Sequence, residues 1–294
     1  MKIGILTDST VDLPQDILDN YNIEVVPLSV HFDNEIYQDG IDLNSDEFFN
    51  KIKSTDILPK TSQPTTASLI NKYKEMSKKY DAIISIHLSA GLSSTYESAK
   101  NISQQLTDIN IYPIDSASIS LGLGFQTLLA AKLSRKLNSI EEIIEIIEKA
   151  KQKLLLYFTV NDLTYMQKGG RIGKARALLG NIFNINPIIS ISTSTGRVQP
   201  LYKARGKKRT MYKMINKAIE TLENEKFAWL GFAHGDRERD MLKFKNSLLD
   251  TVENKLNNKL TLNTYNSRIS STLGCHVGPS VYAAFIMTGD FLDI

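Results

Sequence analysis

Hydroxyl and carboxylate residues gather where three β-like runs of the first half end. The clusters are Asp8-Ser9-Thr10, the stretch 89–95, and Asp115-Ser116. In an open parallel sheet, ligands bind beyond the carboxyl ends of the strands, where helix N-termini offer free N–H groups to an anion. Ser, Thr and Asp are also the usual residues of caps and turns, so each cluster alone is more simply a cap. Their concentration on one sheet edge is what singles them out. A further hydroxyl-rich stretch, Thr61-Ser62-Gln63-Pro64-Thr65-Thr66, precedes a helical pattern, and Pro64 suits a first helical position. It could cap that helix or hold a small anion. Later, Gly274-Cys275-His276-Val277-Gly278-Pro279 sets an imidazole between glycines, so a turn could bring the ring to a ligand. An incidental histidine in a turn fits that pattern equally well. Basic clusters at 168–176 and 203–209 read either as solvated loops or as a surface for phosphate or an acidic partner.

Familiar catalytic patterns are missing. Around Gly169 to Lys174, Ala175 follows the lysine and Lys168 stands where a phosphate loop needs its first glycine. Gly122-x-Gly124 is followed by Thr127 where a dinucleotide fingerprint needs a third glycine. Ser89-x-Gly91 has His87 where a nucleophile elbow needs glycine. The 4 histidines include no pair four residues apart, and 1 cysteine excludes an internal disulfide or a multi-cysteine metal site. No acid and base stand paired at a telling spacing. The residues point away from a self-sufficient enzyme.

The elements that must position these groups follow from periodicity. In the first half, strands are expected at 2–6, 24–32, 82–88 and 111–114, with helices at 68–80 and 94–106 between them. Ser94 with Glu97, and Ser139 with Glu142 before a helical run, have capping-box spacing. Such alternation argues for a helix-covered parallel sheet. In the second half, strands are expected at 154–160, 187–192, 197–204, 228–233 and 260–265, with a tight turn at Thr195-Gly196. Helices are expected at 210–224 and 238–256. This is mixed α/β, and the boundary is placed near Lys153, giving domains 1–153 and 154–294. Across 294 residues, 42% are hydrophobic and 23% charged, too apolar for a disordered chain. No apolar run approaches the ~20 residues of a membrane span, and the short apolar N-terminus meets Asp8 at once, so a cytoplasmic protein is expected. A net charge of +3 does not argue for generic nucleic-acid binding.

Taken in order, several segments resemble the DegV family of bacterial fatty-acid-binding proteins. They are TDSTVDLP (7–14), VVPLSVHF (25–32), YQDGIDL (37–43), TSQPT (61–65) and SAGLSSTYESA (89–99). They continue with IDSASISLGLG (114–124), LTYMQKGGRIGKARALLGNIFNINPII (163–189), KARGKKR (203–209) and GCHVGP (274–279). The resemblance spans nearly the whole chain. It implies a parallel-sheet α/β N-terminal domain, a mixed-sheet α/β C-terminal domain, and one buried C14–C18 fatty acid. Thr61, Ser62 and Ser93 would hydrogen-bond its carboxylate, with His276 beside it and Ser94 and Asp8 as head-group neighbours. Ser94 stands where the family often has glycine. The resemblance further implies a carrier that presents the carboxylate to a separate ATP-dependent fatty acid kinase and retains the acyl phosphate for phospholipid synthesis. ATP and magnesium would belong to that kinase, and the carrier itself would need no cofactor and no metal. Arg171 and Arg205 match basic positions suited to kinase docking or phosphate contact, and transient contact with a membrane surface is also implied. Two readings compete: a hydrolase or kinase-like enzyme using Asp8, Ser93 and His276, and a nucleic-acid-binding protein using 203–209.

Overall fold

Short apolar runs without alternation need cover on both faces, and the first half meets that need with a parallel sheet. The computed structural model describes residues 1–178, 185–256 and 260–294, apart from the side chains of Ile185 and Arg205. The first half runs β1 (Ile3–Asp8), α1 (Gln15–Tyr21), β2 (Ile23–Val26), β3 (Ser29–Phe32), β4 (Glu35–Gln38), α2 (Ser45–Lys53), β5 (Lys60–Ser62) and α3 (Thr66–Met76). It continues with β6 (Ala82–His87), α4 (Thr95–Gln105), β7 (Ile111–Asp115), α5 (Leu121–Leu133) and α6 (Ile140–Gln152). Strands β2-β1-β6-β7 form the parallel sheet, and β1 and β6 are buried along their whole length.

The expected strand over 24–32 is in fact two strands. Pro27 lacks an N–H for the ladder, and the Leu28 N–H turns aside to Ser9 Oγ at 3.1 Å. β2 therefore stays in the parallel sheet, while β3 joins β4 and β5 in a small antiparallel sheet of order β4-β3-β5. This places Lys60–Ser62 on a strand rather than in a cap. Thr65 is the cap of α3, accepting from Ser68 N at 3.1 Å, so Pro64 lies before the helix and not in its first turn. Ser94 also departs from its expected role. It makes no capping bond, and Ser93 Oγ accepts the Thr95 N–H instead.

The second half runs β8 (Leu154–Thr159), α7 (Thr164–Lys168), β9 (Ile185–Ile191), β10 (Val198–Arg205), α8 (Lys207–Leu222), β11 (Phe227–His234), α9 (Glu238–Leu256), β12 (Thr261–Arg268), α10 (Ser271–Val277) and β13 (Tyr282–Thr288). Its strands form a mixed sheet of order β10-β9-β8-β13-β11-β12, in which β11 and β12 are parallel. Helices α8 and α9 bury Met214, Ala218, Phe244 and Leu248 against one face. The other face meets α5.

Helix α5 joins the halves. Every residue of it except Lys132 is buried. It packs against β1 and β6 of one sheet and against β8, β11 and β13 of the other. A helix apolar on all sides carries no amphipathic period, which is why the sequence pattern did not disclose it. Close approach needs glycine on both sides. A Cβ on Gly124 would lie 2.8 Å from Val11 O, and one on Gly231 would lie 2.9 Å from Leu121 Cδ1. The fold is thus α/β, with a parallel four-stranded sheet and a mixed six-stranded sheet. No described helix is long and apolar enough to cross a membrane.

Phe125 of α5 packs edge-on to Trp229 at 5.7 Å between ring centroids. Phe125→Ala is expected to lower stability by about 3–5 kcal/mol, read by urea unfolding through the fluorescence of Trp229.

Candidate functional site

An apolar cavity lies where the halves meet, and four side chains give it a polar end. Leu88, Leu92, Ile119, Phe158, Met166 and Val198 are among its apolar lining, and Thr61, Ser93, Thr272 and His276 face the same space. The enclosed space is about 70 Å³, smaller than the ~300–1,000 Å³ common for ligand sites.

Strand alternation sorts the first loop. Thr61 sits opposite buried Val30 in the β3–β5 ladder, on the inner face. Ser62 is the next residue, so its side chain takes the opposite face, where its Oγ lies 2.9 Å from His31 Nε2. Ser62 borders the cavity, but its hydroxyl is engaged elsewhere.

His276 is the penultimate residue of α10, and its Nε2 lies 2.8 Å from Thr61 Oγ1. Burial holds its pKa down at about 4, with the nearby Arg171 guanidinium acting in the same direction. The ring is therefore neutral at physiological pH. Gly169 makes room for it, since a Cβ there would stand 2.6 Å from His276 Nδ1. With a proton on Nε2, the imidazole donates to Thr61 Oγ1. The Thr61 hydroxyl hydrogen is then free to point at an acceptor in the cavity.

Ser93 reaches the cavity from the loop before α4. Its Oγ lies 2.9 Å from Thr95 Oγ1, so the residue caps a helix and borders the cavity together. Thr272 stands one helical turn before His276 on α10, and sequence reasoning did not single it out. Its hydroxyl is buried beside Asp39 and helps to counter the rise that burial imposes on that carboxyl. The i, i+4 spacing to His276 is the signal that could have found it. Gln63 Oε1 and His276 Nδ1 lack partners.

The remaining expected residues fall elsewhere. Ser94 is exposed and does not border the cavity. Asp8 is a correction: its carboxylate is already used up. Oδ1 accepts from Thr10 N and Thr10 Oγ1, and Oδ2 accepts from Leu88 N and lies 3.1 Å from His87 Nδ1. From His87 the chain continues to Ser85 Oγ at 2.7 Å and Tyr73 OH at 2.8 Å. This Ser–His–Asp sequence has a nucleophile relay's composition, yet Ser85, His87 and Asp8 are each 0% exposed. Substrate has no access to it. Asp8, Ser93 and His276 do not bond to one another, so the expected enzyme constellation is not assembled. Arg171 is exposed at the cavity mouth, donating to Leu92 O at 3.3 Å and Gly169 O at 2.8 Å. The Arg205 side chain lies outside the described residues. Among the described residues, no group of three or more His, Cys, Asp or Glu could hold a metal ion.

A family model described as "Uncharacterised protein, DegV family" matches residues 2–289. The chain belongs to the DegV family. Protein DegV of Bacillus subtilis (strain 168) is 33% identical over 283 residues, which cover 95% of this chain and 96% of that one. Among solved structures, a fatty-acid-binding DegV family protein from Thermus thermophilus superposes with a TM-score of 0.91 at 28% identity, covering 98% of this chain and 100% of that one. The structure of DegV from Bacillus subtilis, described as a fatty acid binding protein, gives 0.88 at 31% identity with the same coverage. Both cover the two sheets and the DegV arrangement that joins them.

Two outcomes are expected from this geometry. The His276 imidazole should titrate near 4 by NMR. Because its folded value lies below its ordinary 6.5, unfolding takes up a proton as the pH drops. The stability it contributes is whole above pH 6.5 and is lost as the pH falls toward 4, on the order of 3 kcal/mol in all. His276→Gln should flatten that loss in acid unfolding curves. Gly169→Ala should push the ring off Thr61 and shift the imidazole NMR signals, and unchanged signals would contradict the close packing.

Proposed function

We propose that the chain binds one long-chain fatty acid, with its carboxylate at the polar end of the cavity and its tail along the apolar lining. One observation carries this reading: an apolar cavity ends in uncharged hydroxyls and a neutral imidazole. A carboxylate is acceptor-only, so hydroxyl and imidazole donors satisfy it without a counter-ion. Thr61, oriented by His276, and Ser93 and Thr272 are the donors. Ser62 contributes wall rather than hydroxyl. The solved relatives that are described as fatty-acid-binding share this fold at 28% and 31% identity, which supports the assignment. Moving ~15 methylenes of a C16–C18 tail out of water contributes on the order of 12 kcal/mol before ordering costs. The tail supplies affinity, and the hydroxyls fix the head group.

The finer role is that of a carrier. The chain presents the carboxylate to a separate ATP-dependent fatty acid kinase and keeps the acyl phosphate for phospholipid synthesis. Neutral donors suit this, because a buried cation clamped on the carboxylate would oppose its attack on a phosphoryl group. Arg171 at the mouth, and Arg205 at the end of β10, are the groups assigned to kinase docking or phosphate contact.

Native mass spectrometry of the purified protein tests the first part. One bound C14–C18 acid per chain is expected, and a Kd for palmitate weaker than millimolar would reject the reading. Thr61→Val and Ser93→Ala should each weaken binding by about 1–3 kcal/mol. Arg171→Ala should leave the bound lipid in place while slowing its phosphorylation by a purified fatty acid kinase. An unchanged rate would remove Arg171 from the docking role. Turnover of an acyl ester, or of ATP without a partner, would favour an enzyme.

A further inference from the structure

We infer that Asp39, supported by Asp12, is a positioning residue for the ligand-facing side of α10, holding the end of the helix that carries Thr272 and so setting the angle at which the far end presents His276. The effect on lipid affinity rests on the fatty-acid reading above; the effect on the helix does not.

The inference starts from the backbone. The first N–H groups of a helix have no acceptor within it. In α10 these donors reach two carboxylates. Ser270 N donates to Asp12 Oδ1 at 2.8 Å, Ser271 N to Asp39 Oδ1 at 3.0 Å, and Thr272 N to Asp39 Oδ2 at 3.3 Å. Leu273 N goes to Ser270 Oγ at 3.4 Å, and Gly274 N begins the internal ladder at Ser270 O. Both acids come from the first half of the chain, 258 and 232 residues earlier. At the other end, His276 meets Thr61, 215 residues earlier. The helix is thus pinned at both ends to the opposite half.

The leverage is direct. Seven residues span about 10 Å, so a tilt of ten degrees or so at the pinned end displaces the ring by roughly 1–2 Å. That is enough to break a 2.8 Å contact with Thr61. Thr272 and His276 both face the cavity from this helix; Thr272 stays near the pinned end, and His276 at the far end moves most.

The acids are not explained by stability alone. Each is buried, at 3% exposure for Asp39 and 8% for Asp12. Burial pushes Asp12 up to about 8 and raises Asp39 as well, and the two repel each other. Burying two acids side by side costs stability rather than supplying it. Asp12 also has φ of 47°, and Ser120, which donates to it at 2.6 Å, has φ of 53°. A non-glycine residue held in that region is strained, and such strain collects at functional sites. Ser120 precedes α5, and Ser9 donates to Asp39 Oδ2 at 2.9 Å. The grip is therefore anchored to the helix between the sheets and to the turn after β1.

The test uses the full chain with 15N-labelled histidine, first free of lipid and then with palmitate. Asp39→Asn keeps the shape but turns one acceptor into a donor facing Thr272 N–H. It should shift the His276 ring signals, raise the titration midpoint of His276 by at least about one pH unit, and weaken palmitate roughly tenfold. Leu248→Ala, buried in the core on the far side of the mixed sheet, should lower the melting temperature without moving those signals. If Asp39→Asn behaves like Leu248→Ala, the positioning role is overturned. If Asp39→Asn does not fold, Asp12→Asn, which keeps an oxygen for Ser270 N–H, should move the same signals less and in the same direction. Unmoved signals in that variant overturn the inference too. Failure of the wild type to bind palmitate would sink the fatty-acid reading, while the His276 signals still decide the clamp.

Discussion

The architecture depends on one demand: α5 has no polar face. A helix buried on every side must be enclosed by apolar surface on every side. One sheet cannot do that. The parallel sheet covers it through β1 and β6, and the mixed sheet covers it through β8, β11 and β13. The halves therefore share a core instead of keeping separate ones, and residues from both, among them Ile5, Ile84, Leu156 and Phe285, belong to a single apolar cluster. The cavity is a seam in that shared core. Its apolar lining is continuous with the protein interior, and polar groups enter it only where loops and α10 reach the seam.

The polar end works by withholding charge. The imidazole is kept neutral by burial and by the neighbouring guanidinium. The available donors are hydroxyls, and the one cation at the cavity that is described, Arg171, is exposed and occupied with backbone carbonyls. Gly169 contributes by having no side chain, which lets the imidazole come close to the backbone.

Much of this was legible in the residues, and the exceptions have physical causes. The long surface helix Glu238–Leu256 has a clear 3.6 period and matches its expected span. Five of the six strands of the mixed sheet fall within a few residues of expectation, as boundary fraying allows. Helix α5 and strand β13 are buried along nearly their whole length and carry no clear polar period, and a run without period cannot be assigned by pattern alone. The 24–32 run was divided by Pro27 and by a hydroxyl nineteen residues earlier in the chain. In the site, Thr61, Ser93 and His276 line one cavity. Asp8 read as a head-group neighbour because a carboxylate at a strand end looks available, and only the fold shows it saturated. Thr272 and Asp39 were silent for the opposite reason: their roles come from partners more than two hundred residues distant.

Chain order adds a consequence for how the protein is made. The last strand in sequence, β13, is not at an edge of its sheet; it lies between β8 and β11, and α10 directly precedes it. During vectorial synthesis the parallel sheet can pair as it leaves the ribosome. The mixed sheet must wait with a gap at its centre, and the far side of α5 stays uncovered. Such exposed apolar surface on a partly made chain is where aggregation begins and where chaperones act. The residues that α10 gives to the cavity are among the last to be made, so its polar end is incomplete until translation has passed residue 276.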